Sequence, residues 1–272
     1  MRTLLLFAAV VLAAPGLSPR TSAASPLPVD PAGDSVHIPV LVYHSIAPHH
    51  PGQTRSQHEL DVDPADFEAQ MKLLRQCGVN VISFGTLVDV LNGRAKPPAH
   101  SAVITFDDGW ENEYRHAFPV LKQLGLTATF FVFTSPIGRA SQFLTWEQIR
   151  EMHDAGMSIE SHSRTHPLLS HDVSGLMSEL AGSRHDIAEH LGEAPLYFAY
   201  PFGNEDARVI AAVQAAGYVA ARGFGGGTLN TPKSVWDIRS VEVTDNMKAF
   251  RRVLSLSGCL SGSGRAESSV KP

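Results

Sequence analysis

The chain has 272 residues with Lys+Arg 22 against Asp+Glu 27, a net charge of −5, and 43% hydrophobic residues. That is apolar enough to build a sizeable core, and it lacks the basic stripe a nucleic-acid binder shows, so no nucleic-acid partner is expected. The two cysteines, Cys77 and Cys259, exclude the dense disulfide framework of a small secreted fold. Cys77, at a helix end among apolar neighbours, reads as a buried inert thiol, with a single disulfide between the two left open.

Arg2, the apolar run Leu4 to Ala14 and the small residues Thr21, Ser22, Ala23 and Ala24 predict a secretory signal peptide over residues 1–24. The run is shorter than the roughly 20 residues that span a bilayer, and an uncleaved anchor is the alternative. A Pro-, Ala- and Ser-rich linker follows over 25–36, then one domain over 37–258, then a Gly- and Ser-rich flexible tail over 259–272. No later segment is long and apolar enough to span a membrane. The mature chain is therefore expected to be exported, periplasmic or extracellular, and its oligomeric state is not legible.

Within the domain, short apolar runs alternate with helical patterns. Ile38 to Tyr43, Val79 to Ser83, Ala102 to Phe106, Ala128 to Phe133, Met157 to Ser161, Tyr197 to Tyr200, Tyr218 to Ala221 and Asp237 to Val243 read as strands. Asp63 capping Pro64 opens a helix that Gly78 ends, and Thr145 with Gln148 forms a capping box for another that stops at Gly156. Further helices are predicted over Val173 to Leu191, Asp206 to Ala216 and Asn246 to Leu256. Alternation of this kind favours a parallel sheet, and seven or eight units in one domain favour closing it into an α/β barrel whose active site sits at the C-terminal ends of the strands.

Two motifs fall on that rim. Asp107 and Asp108 follow one strand within Thr105-Phe106-Asp107-Asp108-Gly109, and His162 follows another within His162-Ser163-Arg164-Thr165-His166. Two neutral imidazoles and one carboxylate suit zinc or a related divalent ion, with a position left for water. A four-residue spacing on one helical turn would bring His162 and His166 to a common side, with Asp108 as third ligand. Asp107 would remain free as general base, and Gly109 would let the backbone pass close by. Singly these are weak signals, since Asp-Asp-Gly is usually a turn. Their conjunction, with Pro201-Phe202-Gly203 after a third strand, carries the inference.

These residues resemble the polysaccharide deacetylases with a NodB homology domain, also called carbohydrate esterase family four, over about Ile38 to Val243. The resemblance implies a distorted (β/α) barrel of NodB type with Asp107 as base, Asp108, His162 and His166 as metal ligands, and hydrolysis of an acetyl group on a sugar polymer. The third motif reads Ala199-Tyr200-Pro201-Phe202-Gly203 in place of Arg-x-Pro-Tyr, so no arginine stands there to hold the base. Arg239 on the last strand is the expected substitute, with a surface charge as its other reading. The Phe202 amide keeps the oxyanion role that a backbone donor can fill whatever its side chain, and Tyr200 and Pro201 beside it are expected to touch substrate. The closing Leu-x-Leu-x-His motif is absent between Val253 and Leu260. Instead, Val42-Tyr43-His44-Ser45 on the first strand resembles the circularly permuted poly-N-acetylglucosamine deacetylase branch, which assigns His44 as general acid, with packing under the rim as its alternative.

Zinc is the expected metal, with cobalt or nickel as substitutes, and an N-acetylglucosamine polymer is the expected partner. The alternatives are an O-acetyl esterase on a xylan-like polymer and a non-catalytic carbohydrate-binding barrel. Trp110, beside the first motif, is expected to stack on a sugar ring, whereas Trp146 and Trp236 are expected to be buried. His49 and His50 read as a solvent-exposed pair, His171, His185 and His190 as exposed helix positions, and Gly225-Gly226-Gly227 resembles a phosphate loop only in composition.

Overall fold

The computed structural model describes residues 35–171 and 174–255. The signal-peptide segment, most of the linker, Val173, the tail and Cys259 lie outside the described residues. In chain order come strand β1 (Val36–His37), β2 (Val40–Tyr43), β3 (Ser45–Ile46), helix α1 (Arg55–Leu60), β4 (Asp61–Val62), α2 (Pro64–Gln76), β5 (Asn80–Val81), α3 (Phe84–Leu91) and β6 (Ser101–Asp108). A π-helical turn (Glu113–Ala117) then runs into α4 (Phe118–Leu124), followed by β7 (Thr129–Val132), α5 (Trp146–Asp154), β8 (Ser158–Ser161), α6 (Leu176–Leu191) and β9 (Tyr197–Ala199). The last elements are α7 (Ala207–Ala215), β10 (Ala220–Gly226), β11 (Leu229–Asn230), β12 (Ile238–Glu242) and α8 (Met247–Ser255).

Seven strands pair in parallel in the order β2-β12-β10-β9-β8-β7-β6, and β6 pairs back to β2, closing a ring. The eighth predicted strand, β5, lies outside that ring and pairs with the start of β6 through Asn80 and Val81. The barrel therefore has seven staves, and its first stave lies between its last, β12, and β6.

Local sequence accounts for the element ends. The Asp63 carboxylate accepts the Ala65 amide at 2.8 Å ahead of Pro64, and Thr145 and Gln148 form the expected capping box. The long helix begins at Leu176, three residues later than the periodicity suggests, after Gly175 at its N-cap. Cys77, the C-cap of α2, is disulfide-bonded and not the free thiol expected.

Successive strand residues face opposite ways. Val40, Val103, Phe131, Ala199, Ala220 and Ile238, from six staves, form one buried cluster that Phe84 and Leu87 of α3 join. The other faces pack under the helices, as where Leu41, Ile104, Phe106 and Phe130 meet Phe67, Met71 and Leu74 of α2. A plugged barrel leaves its C-terminal rim as the place for chemistry. No described helix is long and apolar enough to cross a membrane.

Candidate active site

All eight residues of β6 are buried, and alternation carries Thr105 and Asp107 to the same face. The strand ends abnormally. Asp108 has φ 81° and Gly109 φ 79°, a left-handed pair that L side chains rarely adopt. At Gly109 a Cβ would stand 3.0 Å from Val132 Cγ1, so only glycine fits without a shift. The turn redirects Asp108, and both consecutive carboxylates come near one imidazole: His162 Nε2 is 3.9 Å from Asp107 Oδ2 and 3.7 Å from Asp108 Oδ1.

His162 and His166 do converge, with Nε2 atoms 3.2 Å apart, but no helical turn brings them together. The segment between them is irregular, with left-handed φ at Ser163 (72°) and His166 (60°), and the Ser163 hydroxyl accepts the His166 amide at 3.0 Å. His162 Nδ1 donates to the Ala199 carbonyl at 2.8 Å, which leaves the Nε2 lone pair facing Asp108 and His166. Burial pushes the His162 imidazole down to about 3 and lowers His166 as well, so both are neutral, as a ligand must be. Burial also raises the Asp108 carboxyl, a cost that a cation between the three groups would remove.

Asp108, His162 and His166 form the one described cluster able to hold a metal ion. Their facing atoms are 3.2, 3.4 and 3.7 Å apart, close to the edge of about 3.3 Å that a tetrahedron with zinc–ligand bonds of about 2.0 Å requires. The donor set and its spacing thus fit a small divalent ion. Trp110 backs the cluster: its indole N–H donates to Asp108 Oδ2 at 3.0 Å, and its ring stacks on Phe143 at 4.6 Å. The indole, which the sequence suggested as a platform for sugar, is half-buried and bonded to Asp108.

Asp107 is held by an arginine, though not the expected one. Arg222, on β10 and 1% exposed, donates from one terminal nitrogen to Asp107 Oδ2 and from the other to the Gly223 carbonyl at 2.9 Å, with its guanidinium over the Phe131 ring. Arg239 is exposed on β12 and its stem packs against Gly226, so it does not replace the missing third-motif arginine. Burial alone would raise the Asp107 carboxyl, but Arg222, then His162 and His44, outweigh it and hold the group below the usual carboxylate value. Its other oxygen, Oδ1, is buried and takes no hydrogen bond from any described residue. His44, at the end of β2, places Nε2 4.0 Å from Asp107 Oδ2 and its ring edge-on to Phe224.

Of the remaining expected groups, Phe202 sits on a short 3-10 turn (Pro201–Gly203) with φ 60°, its ring 65% exposed and edge-on to His166. Tyr200 is buried with its hydroxyl donating to the Trp236 carbonyl, and Pro201 is buried beneath the turn, so neither side chain is offered to a ligand. Phe224, 43% exposed, went unnoticed in the sequence, as did the His49 pairing: His49 is not free in solvent but bonds Asp245 and stacks on His58. The triple glycine ends β10 and leads to β11, every member with positive φ. His190, half-buried, stacks on Trp146.

The family profile described as "Polysaccharide deacetylase" matches residues 94–221, the span holding both motifs. A putative polysaccharide deacetylase of Bacillus subtilis, YxkH, is 31% identical over 215 residues, covering 77% of this chain and 72% of that protein. The chain belongs to the polysaccharide deacetylase family. A poly-beta-1,6-N-acetyl-D-glucosamine N-deacetylase of Staphylococcus aureus is 28% identical over 163 residues, 53% of this chain and 55% of that one. The deacetylase fold is shared with the Streptococcus pyogenes deacetylase PplD, solved in complex with acetate, at a TM-score of 0.74 and 23% identity over 80% of this chain and 98% of that one. Polysaccharide deacetylase membership makes this chain a hydrolase of the NodB type, and the seven-staved ring agrees with that fold.

Proposed function

We propose that the protein is an exported, divalent-metal-dependent deacetylase that frees amino groups on an N-acetylglucosamine polymer. One observation carries the reading: the buried Asp107 carboxylate, gripped by Arg222 and with one oxygen unpartnered, lies beside the Asp108, His162 and His166 cluster, its Oδ2 3.9 Å from His162 and 4.0 Å from His44. A divalent ion on Asp108, His162 and His166 would polarise the acetyl carbonyl and lower the pKa of water toward about 7. Zinc suits two imidazoles and a carboxylate best, with cobalt or nickel able to substitute.

The Asp107 carboxylate takes the proton of the attacking water, while Arg222 holds it in place beside His162 and His44. The Phe202 amide helps hold the oxyanion, and His44 as imidazolium protonates the amine as the C–N bond breaks. Acetate and a free amino sugar result. The exposed rings of Phe202 and Phe224, one against His166 and the other against His44, give apolar faces on which sugar rings pack. The Staphylococcus aureus relative, named for poly-beta-1,6-N-acetyl-D-glucosamine, supports this choice of polymer. The N-terminal signal pattern supports export to the periplasm or beyond. A non-catalytic barrel was favoured only by a missing arginine, and Arg222 removes that argument.

The test is acetate release from N-acetylglucosamine oligomers, with acetylxylan alongside. Loss on chelation and recovery with zinc or cobalt is expected, and turnover of acetylxylan alone would replace the amino-sugar reading with an O-acetyl esterase.

A further inference from the structure

The segment that presents His162 and His166 has left-handed backbone at two non-glycine residues, Ser163 and His166, a conformation that persists only where the surroundings impose it. The surroundings are one face of α6. Glu179, Gly182, Ser183 and Asp186 recur at helical spacing, and each meets this segment or the strand before it. Ser183 shares a hydrogen bond with Ser161 at the end of β8, and a Cβ at Gly182 would stand 3.1 Å from Arg164 Cδ. Asp186 accepts two hydrogen bonds from the Arg164 guanidinium, at 3.0 and 2.9 Å, and one from the Thr134 hydroxyl. Glu179, 8% exposed, reaches the backbone itself: Oε2 accepts the Arg164 and Thr165 amides at 2.9 and 2.7 Å, and Oε1 accepts the Thr165 hydroxyl at 2.8 Å.

We propose that Glu179 is a positioning residue of the metal site: by holding the amides of the two residues before His166, it sets where that imidazole points. The inference rests on the reading that Asp108, His162 and His166 hold the metal. His162 is fixed independently, by the end of β8 and by the Ala199 carbonyl. Loss of the Glu179 carboxylate therefore acts on His166 and leaves His162 in place, so that its effect is a milder form of removing His166.

The experiment compares Glu179→Ala, Glu179→Asp, Glu179→Gln and His166→Ala with the parent full chain. Zinc affinity is read by competition with a chromophoric chelator, ligand geometry by the visible absorption of bound cobalt(II), and fold by thermal melting with and without zinc. Glu179→Ala is expected to weaken zinc binding by roughly 10- to 100-fold, the usual effect of losing an outer partner of a ligand, and to change the cobalt spectrum. Glu179→Asp, too short to span both amides, should do the same and serves if the alanine variant does not fold. Glu179→Gln keeps an oxygen for the two amides and turns its NH2 to the Thr165 hydroxyl, so it should stay within about threefold of the parent.

Parent-like zinc affinity and cobalt spectrum in both Glu179→Ala and Glu179→Asp would overturn the proposal. So would a lower metal-free melting temperature accompanied by an unchanged rise on adding zinc, which marks a merely structural role. If His166→Ala binds zinc as the parent does, the metal-site reading itself fails. If His166→Ala loses zinc while the Glu179 variants keep it, only the present inference fails.

Discussion

Trp110→Phe separates two roles for the indole beside the proposed metal ligands. The substitution removes a single donor, the indole N–H on Asp108 Oδ2 at 3.0 Å, and keeps an aromatic ring to stack on Phe143. A hydrogen bond to a charged acceptor contributes about 1.5–3 kcal/mol, and because Trp110 is only half-buried the lower end applies. About 1.4 kcal/mol is a factor of ten, which matches the 10- to 100-fold in affinity attributed to outer-shell partners. Zinc affinity, read by chelator competition, should therefore fall about tenfold. The turnover number at saturating zinc should stay within about threefold, since the three ligands remain. Unchanged zinc affinity with a raised KM for oligosaccharide would refute this account and return the indole to the sugar-stacking role read from the sequence.

Asp107→Asn should reduce turnover by about 10²–10⁴-fold while retaining bound metal near one per chain by elemental analysis; loss of metal would make Asp107 a ligand. Arg222→Lys keeps the charge but not the fork that reaches both Asp107 and Gly223, so about 10²-fold in kcat should be lost, with no recovery on added zinc. Gly109→Ala meets Val132 at a positive φ, and should cost about 1–3 kcal/mol, seen as a lower melting temperature. For His49, hydrogen bonding to Asp245 raises the imidazole above its usual 6.5. The stabilisation is then complete below that value and disappears as pH rises through the raised one. His49→Asn should accordingly melt below the parent at about pH 5.5 and converge with it at about pH 9; a constant difference across that range would contradict the pairing.

All eight apolar runs read as strands became strands, seven as staves of the ring, because a buried stave announces itself by β-branched and aromatic residues, and one as the short β5 outside it. The candidate site was legible at Asp107, Asp108, His162 and His166, which the structure brings together. Arg222 escaped for a local reason. The strand reads in the sequence as ending at Ala221, whereas β10 continues to Gly226, with a register shift against β12. A buried arginine following Ala220 and Ala221 was the available signal, since alternation puts Ala220 and Arg222 on one face. The histidine spacing misled in another way: periodicity sees four residues as a helical turn, and cannot see that left-handed residues held by another helix reach the same end. Side-chain direction at Trp110 and Tyr200 likewise depends on partners distant in sequence, Phe143 and Trp236.

The position of β2 between β12 and β6 has a kinetic side. Val241 pairs with Leu41 across nearly the whole domain, and contacts of such sequence separation form late. β2, which leads into His44, pairs along one edge with β6, and only its other edge waits for the final stave. His44 therefore follows a strand that is held on one side by a neighbour closer in sequence and on the other by the last strand of the ring, and any loosening of that last strand is felt at Val42, two residues before the imidazole.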